Sequence, residues 1–211
     1  MASRNAISPT LSPRRLRNRE RTINTILETA RAIMRELGVA ALSMNELARR
    51  LEMRPPSLYH YFAGRMDIYD ALFRMGFTLY AEQMQQVEFN ERTWQDDLRK
   101  IFEIYMAFAQ QNPELYQLCF ERPVPGFVPS AESLAMSVDL LQSFYARAAR
   151  LREVIDTNLS PVQVVDLLIA IMHGLAALHL ANEPDLPIGQ GRFGALIPAA
   201  LSVLDKAWSK P

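Results

Sequence analysis

Apolar positions recur at helical spacing along nearly the whole chain. Ile23, Ile26, Leu27, Ala30, Met34 and Leu37 form a stripe with a period near 3.6, ending at Gly38, the residue type that closes helices in a left-handed conformation. Met44, Leu47, Ala48 and Leu51 repeat the pattern over a shorter stretch, introduced by Ser43 and Glu46 as a Ser-x-x-Glu capping box. Residues 52–54 interrupt it. Pro55 and Pro56, tolerated only in a first helical turn, then open another short helix, on which Leu58 and Phe62 lie at i and i+4. Ser57 and His60 project from a different face, and Gly64 supplies a stop.

The periodicity continues to the C-terminus. A long helix is predicted from Met66 to about Val87, with Ile68, Leu72, Met75 and Leu79 along one side. Thr93 caps a helix to about Gln110, Asn112 with Pro113 opens one to about Phe120, and Ser130 caps one that runs to Ile155. Ser160 with Pro161 starts another, and the last spans roughly Phe193 to Trp208. Residues 121–129 and 189–194 read as loops. The expectation is an all-α fold of about nine helices with no strand. It divides into a flexible basic N-terminal arm (1–18), a three-helix unit (19–65) and a larger helical domain (66–211). Segment 161–181 is apolar nearly all round. Gln163, Asp166, His173 and His179 argue against a membrane span there, so the segment is expected to be covered by protein. With Leu196, Ile197, Leu201 and Leu204 of the last helix it predicts half of a four-helix interface in a homodimer.

Two short helices joined by a tight turn, about residues 43–62, make a helix-turn-helix, whose second helix can enter a DNA major groove. At these residues the chain resembles a family. The layout ILETARAIMRELGVAALSMNELARRLEMRPPSLYHYFAGRMDIYDAL, within about residues 19–79, is similar to the DNA-binding domain of the tetracycline-repressor-like (TetR) regulators. Leu58-Tyr59-His60-Tyr61-Phe62 followed by Arg65 is the most specific part. The resemblance implies that Tyr59, Tyr61 and Arg65 lean on phosphates while Arg54, Pro55, Ser57 and His60 face the groove. Ser43 and Met44, at the start of the preceding helix, complete the expected DNA-binding set. Arg54 is the candidate for a bidentate guanine contact. The chain departs from the family at Glu52, where glycine is usual, and at Arg54, where a small hydroxyl residue is usual. An unchanged turn would therefore hold Glu52 at positive φ. The family also implies a palindromic double-stranded operator read by two subunits. A weaker resemblance lies in NPELYQLCF and MHGLAALHL, which look like the ligand domain of the Trp-His-Gly (WHG) subgroup. Met172 stands in place of the Trp, so only His173 and Gly174 match.

Charge separates the two halves that the pattern defines. Formal net charge is zero, yet residues 1–65 carry 12 Arg against 5 Glu, and the remainder carries 11 Lys and Arg against 18 Asp and Glu. A basic first third is the footprint of a polyanion partner. Arg14, Arg15, Arg17, Arg19 and Arg21 cluster behind a Ser/Pro-rich start, read either as a solvated tail or as an arm reaching phosphate. The first 20 residues lack an apolar run of signal-peptide type and Cys119 is the single cysteine, so a cytoplasmic chain without an internal disulfide is expected.

A regulator needs an input. Phe102, Tyr105, Met106, Tyr116, Cys119, Phe120, Met136, Phe144, Tyr145, Met172 and His173 are the candidate walls of an effector cavity in the second domain, with a hydrophobic or aromatic small molecule as the expected ligand. No cofactor or metal is expected: His173 and His179 lie six residues apart, not at the i, i+4 spacing of a helical metal pair. Enzyme motifs are missing too, with no Gly-rich phosphate loop and no Gly-x-Ser-x-Gly. The sequence thus points to a DNA-binding transcriptional regulator, foremost a repressor released by an effector. Two alternatives remain open: an activator with the same mechanics, and a helical ligand-binding or interaction dimer whose helix-turn-helix no longer reads DNA.

Overall fold

The computed structural model describes residues 12–85 and 93–210. It divides into two compact units, residues 1–68 and 69–211. Among the described residues there is no strand.

In the first unit, α1 spans Pro13–Leu37, α2 Met44–Arg50 and α3 Pro55–Leu58. The start of α1 corrects the expected flexible arm over its last residues. Pro13 occupies the first turn, where its missing N–H is no loss, so Arg14, Arg15 and Arg17 are helical. Residues 1–11 of that arm lie outside the described residues. Gly38 ends α1 as expected, at φ 92°, its N–H donating to Met34 O at 3.0 Å. Ile26, Ala30 and Ile33 of α1, Leu47 of α2 and Leu58 are sealed completely or nearly so, which makes one small core for three helices. The capping box forms by half: Ser43 Oγ accepts from the Glu46 N–H at 3.2 Å, but the Glu46 carboxylate turns to Arg49 and Arg50. Arg50 also reaches Glu36 at 2.7 Å and so ties α2 to α1.

Helix α4 (Arg65–Gln85) belongs to the second unit from Tyr69 on, and is followed there by α5 (Trp94–Gln111), capped by Thr93, whose hydroxyl accepts from Asp96 N–H. The expected extension of α4 to Val87 lies outside the described residues. The next helix, α6, is one turn, Pro113–Tyr116, and passes into a π-helical turn, Gln117–Glu121, which ends at Arg122 with φ 52°. Gly76 of α4 makes room for that turn, because a β-carbon there would stand 2.6 Å from Cys119 Sγ. Ser130 caps α7 (Ala131–Leu151), which stops short of the expected Ile155 and gives way to turns. Ser160 and Gln163 form a complete capping box on α8 (Pro161–Asn182). Among the described residues the nine expected helices are present, the last broken into α9 (Gly191–Gly194) and α10 (Ile197–Trp208). Pro198 cannot donate to the turn before it, so the helix restarts at Ile197. Residues 191–194, expected as loop, are helical because the Glu183 carboxylate accepts the Arg192 N–H at 2.7 Å.

Two surfaces of this unit stay apolar. On α8, Leu167 and Leu178 are exposed, as are Leu196, which caps α10, and Val203 on α10, the last to 66%. Val164, Val165, Leu168, Met172, Ala176 and His179 of α8 are buried within the chain and the opposite stripe is open, the stripe for which a neighbouring subunit is the expected cover. By length and hydropathy alone α8 is also the one helix among the described residues suited to crossing a membrane.

Candidate DNA-reading surface and effector cavity

The helix-turn-helix places its functional side chains by a simple division. Leu58 and Phe62 point into the core, with 0% and 9% exposure, and anchor a segment whose other side chains face out. Arg54, Pro55, Tyr59, His60 and Arg65 are exposed, while Ser43, Met44, Ser57 and Tyr61 are half-buried. Regular α-helix ends at Leu58; Tyr61 N–H and Phe62 N–H both donate to Leu58 O, which carries one more turn through Tyr59 and His60. The turn itself is preserved. Glu52 takes φ 53°, the left-handed conformation the family fills with glycine, and Arg54 occupies the N-cap with no side-chain capping bond. Arg54 is thus exposed with its guanidinium uncommitted to the helix end. Ser43 differs from the rest of the set, because its hydroxyl oxygen is used in capping α2.

Electrostatics around this surface are biased toward an anion. The Arg49 and Arg50 guanidiniums hold the Glu46 carboxyl at about 2, so it stays ionised but neutralised by two cations. Arg19 of α1 lies 5.7 Å from the centroid of the Tyr61 ring, close enough for a cation–π contact that orients the ring.

In the second unit a cavity of about 720 Å³ opens among α4, α5, the π-turn, α7 and α8. Of the expected wall residues, Tyr105, Cys119, Phe120, Phe144 and Met172 line it. His173 lines a smaller neighbouring cavity of about 320 Å³ with Tyr105, Phe120 and Asp166. In the Nε2–H tautomer its Nδ1 accepts from Tyr116 Oη at 2.8 Å, and Tyr105 Oη stands 3.3 Å away. Burial raises the pKa of both tyrosines well above the ordinary range, which keeps them neutral donors. Burial likewise pushes the Cys119 thiol far up, so it stays protonated.

Five expected wall residues lie elsewhere. Phe102 and Met106 belong to a buried stripe of α5 that continues at Ala109, whereas Leu98, Ile101 and Tyr105 form the neighbouring stripe that meets the void. Tyr116 is sealed and stacked on His173 at 5.6 Å between centroids. Met136 and Tyr145 sit off the lining face of α7, and the Tyr145 hydroxyl donates to Asp166 Oδ1 at 3.4 Å. Sequence reasoning missed Phe73 and Phe77 of α4, Trp94 and Asp97 of α5, Arg122 of the loop, and Arg147 and Arg150 of α7. One clue was present for the arginines: Leu134, Val138, Leu141, Phe144, Ala148 and Leu151 make an apolar stripe of α7, and Arg147 falls within it. Among the described residues no group of three or more His, Cys, Asp or Glu is placed to hold a metal.

Known proteins resemble this chain in sequence and in fold. The family model for bacterial regulatory proteins of the tetR family matches residues 26–72, and that for the tetracyclin repressor-like C-terminal domain matches residues 98–194. HTH-type transcriptional regulator Rv1816 of Mycobacterium tuberculosis is 25% identical over 130 residues, covering 60% of this chain and 56% of the relative. The chain therefore spans a little over half the length of that relative. The crystal structure of the putative regulatory protein SCO4313 superposes with a TM-score of 0.69 at 24% identity, covering 93% of this chain and 98% of that one. AibR, solved in complex with isovaleryl coenzyme A and operator DNA, superposes with a TM-score of 0.64 at 16% identity over 86% of this chain and 96% of its own. The C-terminal match is to the family at large and does not single out the Trp-His-Gly subgroup. With both halves of the chain matched to the two halves of one family's architecture, the protein belongs to the TetR family of bacterial regulatory proteins.

Proposed function

We propose that this protein is a homodimeric, sequence-specific DNA-binding transcriptional regulator, a repressor that leaves its palindromic operator when a small molecule fills the cavity of its second unit. The observation that carries this reading is the exposed row Arg54, Tyr59 and His60 on a segment pinned from below by buried Leu58. Side chains that reach base edges specify sequence, and phosphate contacts set register. Ser57, Tyr61 and Arg65 extend the row. The left-handed Glu52 supports DNA competence over the DNA-incompetent alternative, since the substitution has left the turn's geometry in place. The open apolar stripes of α8 and α10 support dimerisation: large aliphatic side chains exposed along two helices are an expected subunit contact. A regulator of this kind acts where the DNA is, in the cytoplasm, and needs no cofactor or catalysis.

The test is selection of sites from a random double-stranded DNA pool at stated salt, run in parallel with the Arg54→Ala, Tyr59→Phe variant. The expected outcome is an enriched palindrome that the variant loses, with about 1–3 kcal/mol of specific affinity removed. No enrichment by the wild type would turn the reading toward a helical ligand-binding dimer. Leu178→Glu with Val203→Glu is expected to yield monomers in analytical ultracentrifugation and to abolish palindrome binding; a variant that remains dimeric would refute the assigned interface.

A further inference from the structure

Two phenols and one imidazole meet beside the smaller cavity, and only one placement of their protons satisfies all three. Tyr105 of α5, Tyr116 of α6 and His173 of α8 converge, with Tyr116 Oη 2.8 Å and Tyr105 Oη 3.3 Å from His173 Nδ1. The Tyr105 hydroxyl donates to the Tyr116 oxygen. Tyr116 is sealed from solvent, and Nδ1 is the acceptor within reach of its own proton. Were Nδ1 protonated, that buried hydroxyl would face a second donor and lose its partner, at the full cost of its desolvation. The relay therefore runs from Tyr105 through Tyr116 to Nδ1, and the proton of the ring sits on Nε2.

The other end of the relay faces a ligand space. His173 lines the smaller cavity, and among the described residues nothing accepts from its Nε2–H. The other polar side chains of that wall do not take its place. Tyr105 gives its proton to Tyr116, and the Asp166 carboxylate can only accept, one of its oxygens taking the Tyr145 hydroxyl at 3.4 Å. Nε2–H is thus a neutral donor in a wall completed by Phe120, Ile169 and Ala170. Ring contacts hold it in place: His173 stacks on Tyr116, and Phe120, brought round by the π-helical turn, lies 5.6 Å from both the Tyr105 and the Tyr116 ring. Tyr105, Phe120 and Ile169 also line the larger cavity, so a body too long for the smaller space can continue past them. A fixed donor beside apolar side chains discriminates by what it would lose, since a ligand without an acceptor leaves it unpaired.

We propose that the smaller cavity is a carbonyl subsite, in which His173 Nε2–H donates to the oxygen of a neutral ketone, ester or amide whose apolar body lies against Phe120 and Ile169. This rests on the cavities of the second unit being the effector site, and it narrows the expected hydrophobic or aromatic ligand to one that carries an uncharged oxygen acceptor. Tyr105 and Tyr116 act through His173 as positioning residues.

The experiment compares acetophenone with α-methylstyrene, which has a methylene in place of the carbonyl oxygen, and with benzoate, by calorimetry on the free full-length protein without DNA. Infrared spectroscopy of carbonyl-labelled acetophenone supplies a second readout. The carbonyl band is expected to move to lower frequency on binding, and benzoate is expected to bind most weakly, because a carboxylate would be desolvated for one neutral donor with Asp166 in the same wall. His173→Phe should abolish the band shift and weaken acetophenone about three- to tenfold while leaving α-methylstyrene within about twofold, which also shows that the variant is folded. His173→Gln, whose amide can donate from the place of Nε2, should keep the shift and holds the test open if the phenylalanine variant misfolds. Tyr105→Phe with Tyr116→Phe frees the tautomer and should weaken acetophenone alone, by less than His173→Phe does. No binding of acetophenone in the millimolar range, no band shift, an equal loss of acetophenone and α-methylstyrene in His173→Phe, or tighter binding of benzoate would overturn the assignment. An operator selected successfully alongside any of these results would leave the DNA-reading role standing and refute the carbonyl subsite alone; a band shift without an enriched operator would do the reverse.

Discussion

Under the proposed function the two units would perform opposite kinds of recognition with the same material. The first is a small closed core that pushes its functional groups outward: Leu58 is wholly buried, and its neighbours Tyr59 and His60 are exposed. The second is a larger helical core that leaves a space inside, walled by side chains from Phe73 to Met172. A convex reader is local in sequence because one helical turn supplies both anchor and reading head. A concave receptor is non-local because five segments must each contribute one face. It follows that the two units should respond differently to the same injury.

Truncating one buried side chain in each unit gives the largest contrast. Leu58→Ala removes a sealed residue from a core of three short helices and is expected to cost about 2–5 kcal/mol, enough to open the head. Met172→Ala enlarges a void that already exists, so fewer contacts are lost, and about 1–2 kcal/mol is expected. Hydrogen exchange read by mass spectrometry separates the units, which a single melting curve would not do. Equal loss of protection in the two variants would break the contrast.

A middle-sized effect lies in the clamp at the start of α7, the helix that carries Arg147 and Arg150 of the cavity lining. Asp70 of α4 accepts the Ser130 N–H at 2.7 Å and the hydroxyls of Ser130 and Ser133 at 3.0 and 2.9 Å, and Arg74 pairs with it at 3.4 Å. Burial alone would raise its pKa, but these donors outweigh it and hold the carboxyl below the usual range. Asp70→Ala is expected to cost about 1–3 kcal/mol, seen as faster exchange in the first turns of α7. Because the folded pKa is depressed, the clamp is complete above the ordinary carboxylate range and is lost as pH falls through the folded pKa. Asp70→Asn should remove that acid-dependent step; its persistence would assign the step to another group.

This contrast also explains what could be read in advance. Local chemistry was legible: Thr93, Ser130 and Ser160 cap the helices they open, Gly38 closes α1, and Leu58 with Phe62 anchors the reading segment. The cavity was legible only where a residue's size was the clue, as for Phe120 and Phe144. Phe102 and Met106 are as large but fall on the adjacent stripe of α5, a rotation that periodicity alone does not resolve when both stripes are apolar. The π-turn at Gln117–Glu121 re-aims Cys119 and Phe120, and nothing in local composition announces it. Pro198 was the visible warning that the last helix would break.

The smallest effect tests strain, which each unit carries at one non-glycine residue among those described. Glu52 in the head has φ 53° and Arg122 beside the cavity has φ 52°. A β-carbon in this region costs about 1–2 kcal/mol, and glycine recovers that while giving back some of it through greater freedom when unfolded. Glu52→Gly is therefore expected to stabilise the head by about 0.5–1 kcal/mol, with Glu52→Ala near zero because the β-carbon remains. Equal stability of the two variants would show that the turn carries no strain. Arg122→Gly should relieve its own turn by a similar amount, but it also removes a side chain from the cavity lining. The head gains from the substitution without loss because Glu52 occupies an exposed position. In the second unit the strained residue is itself part of the cavity wall, so relief of its strain also changes the lining.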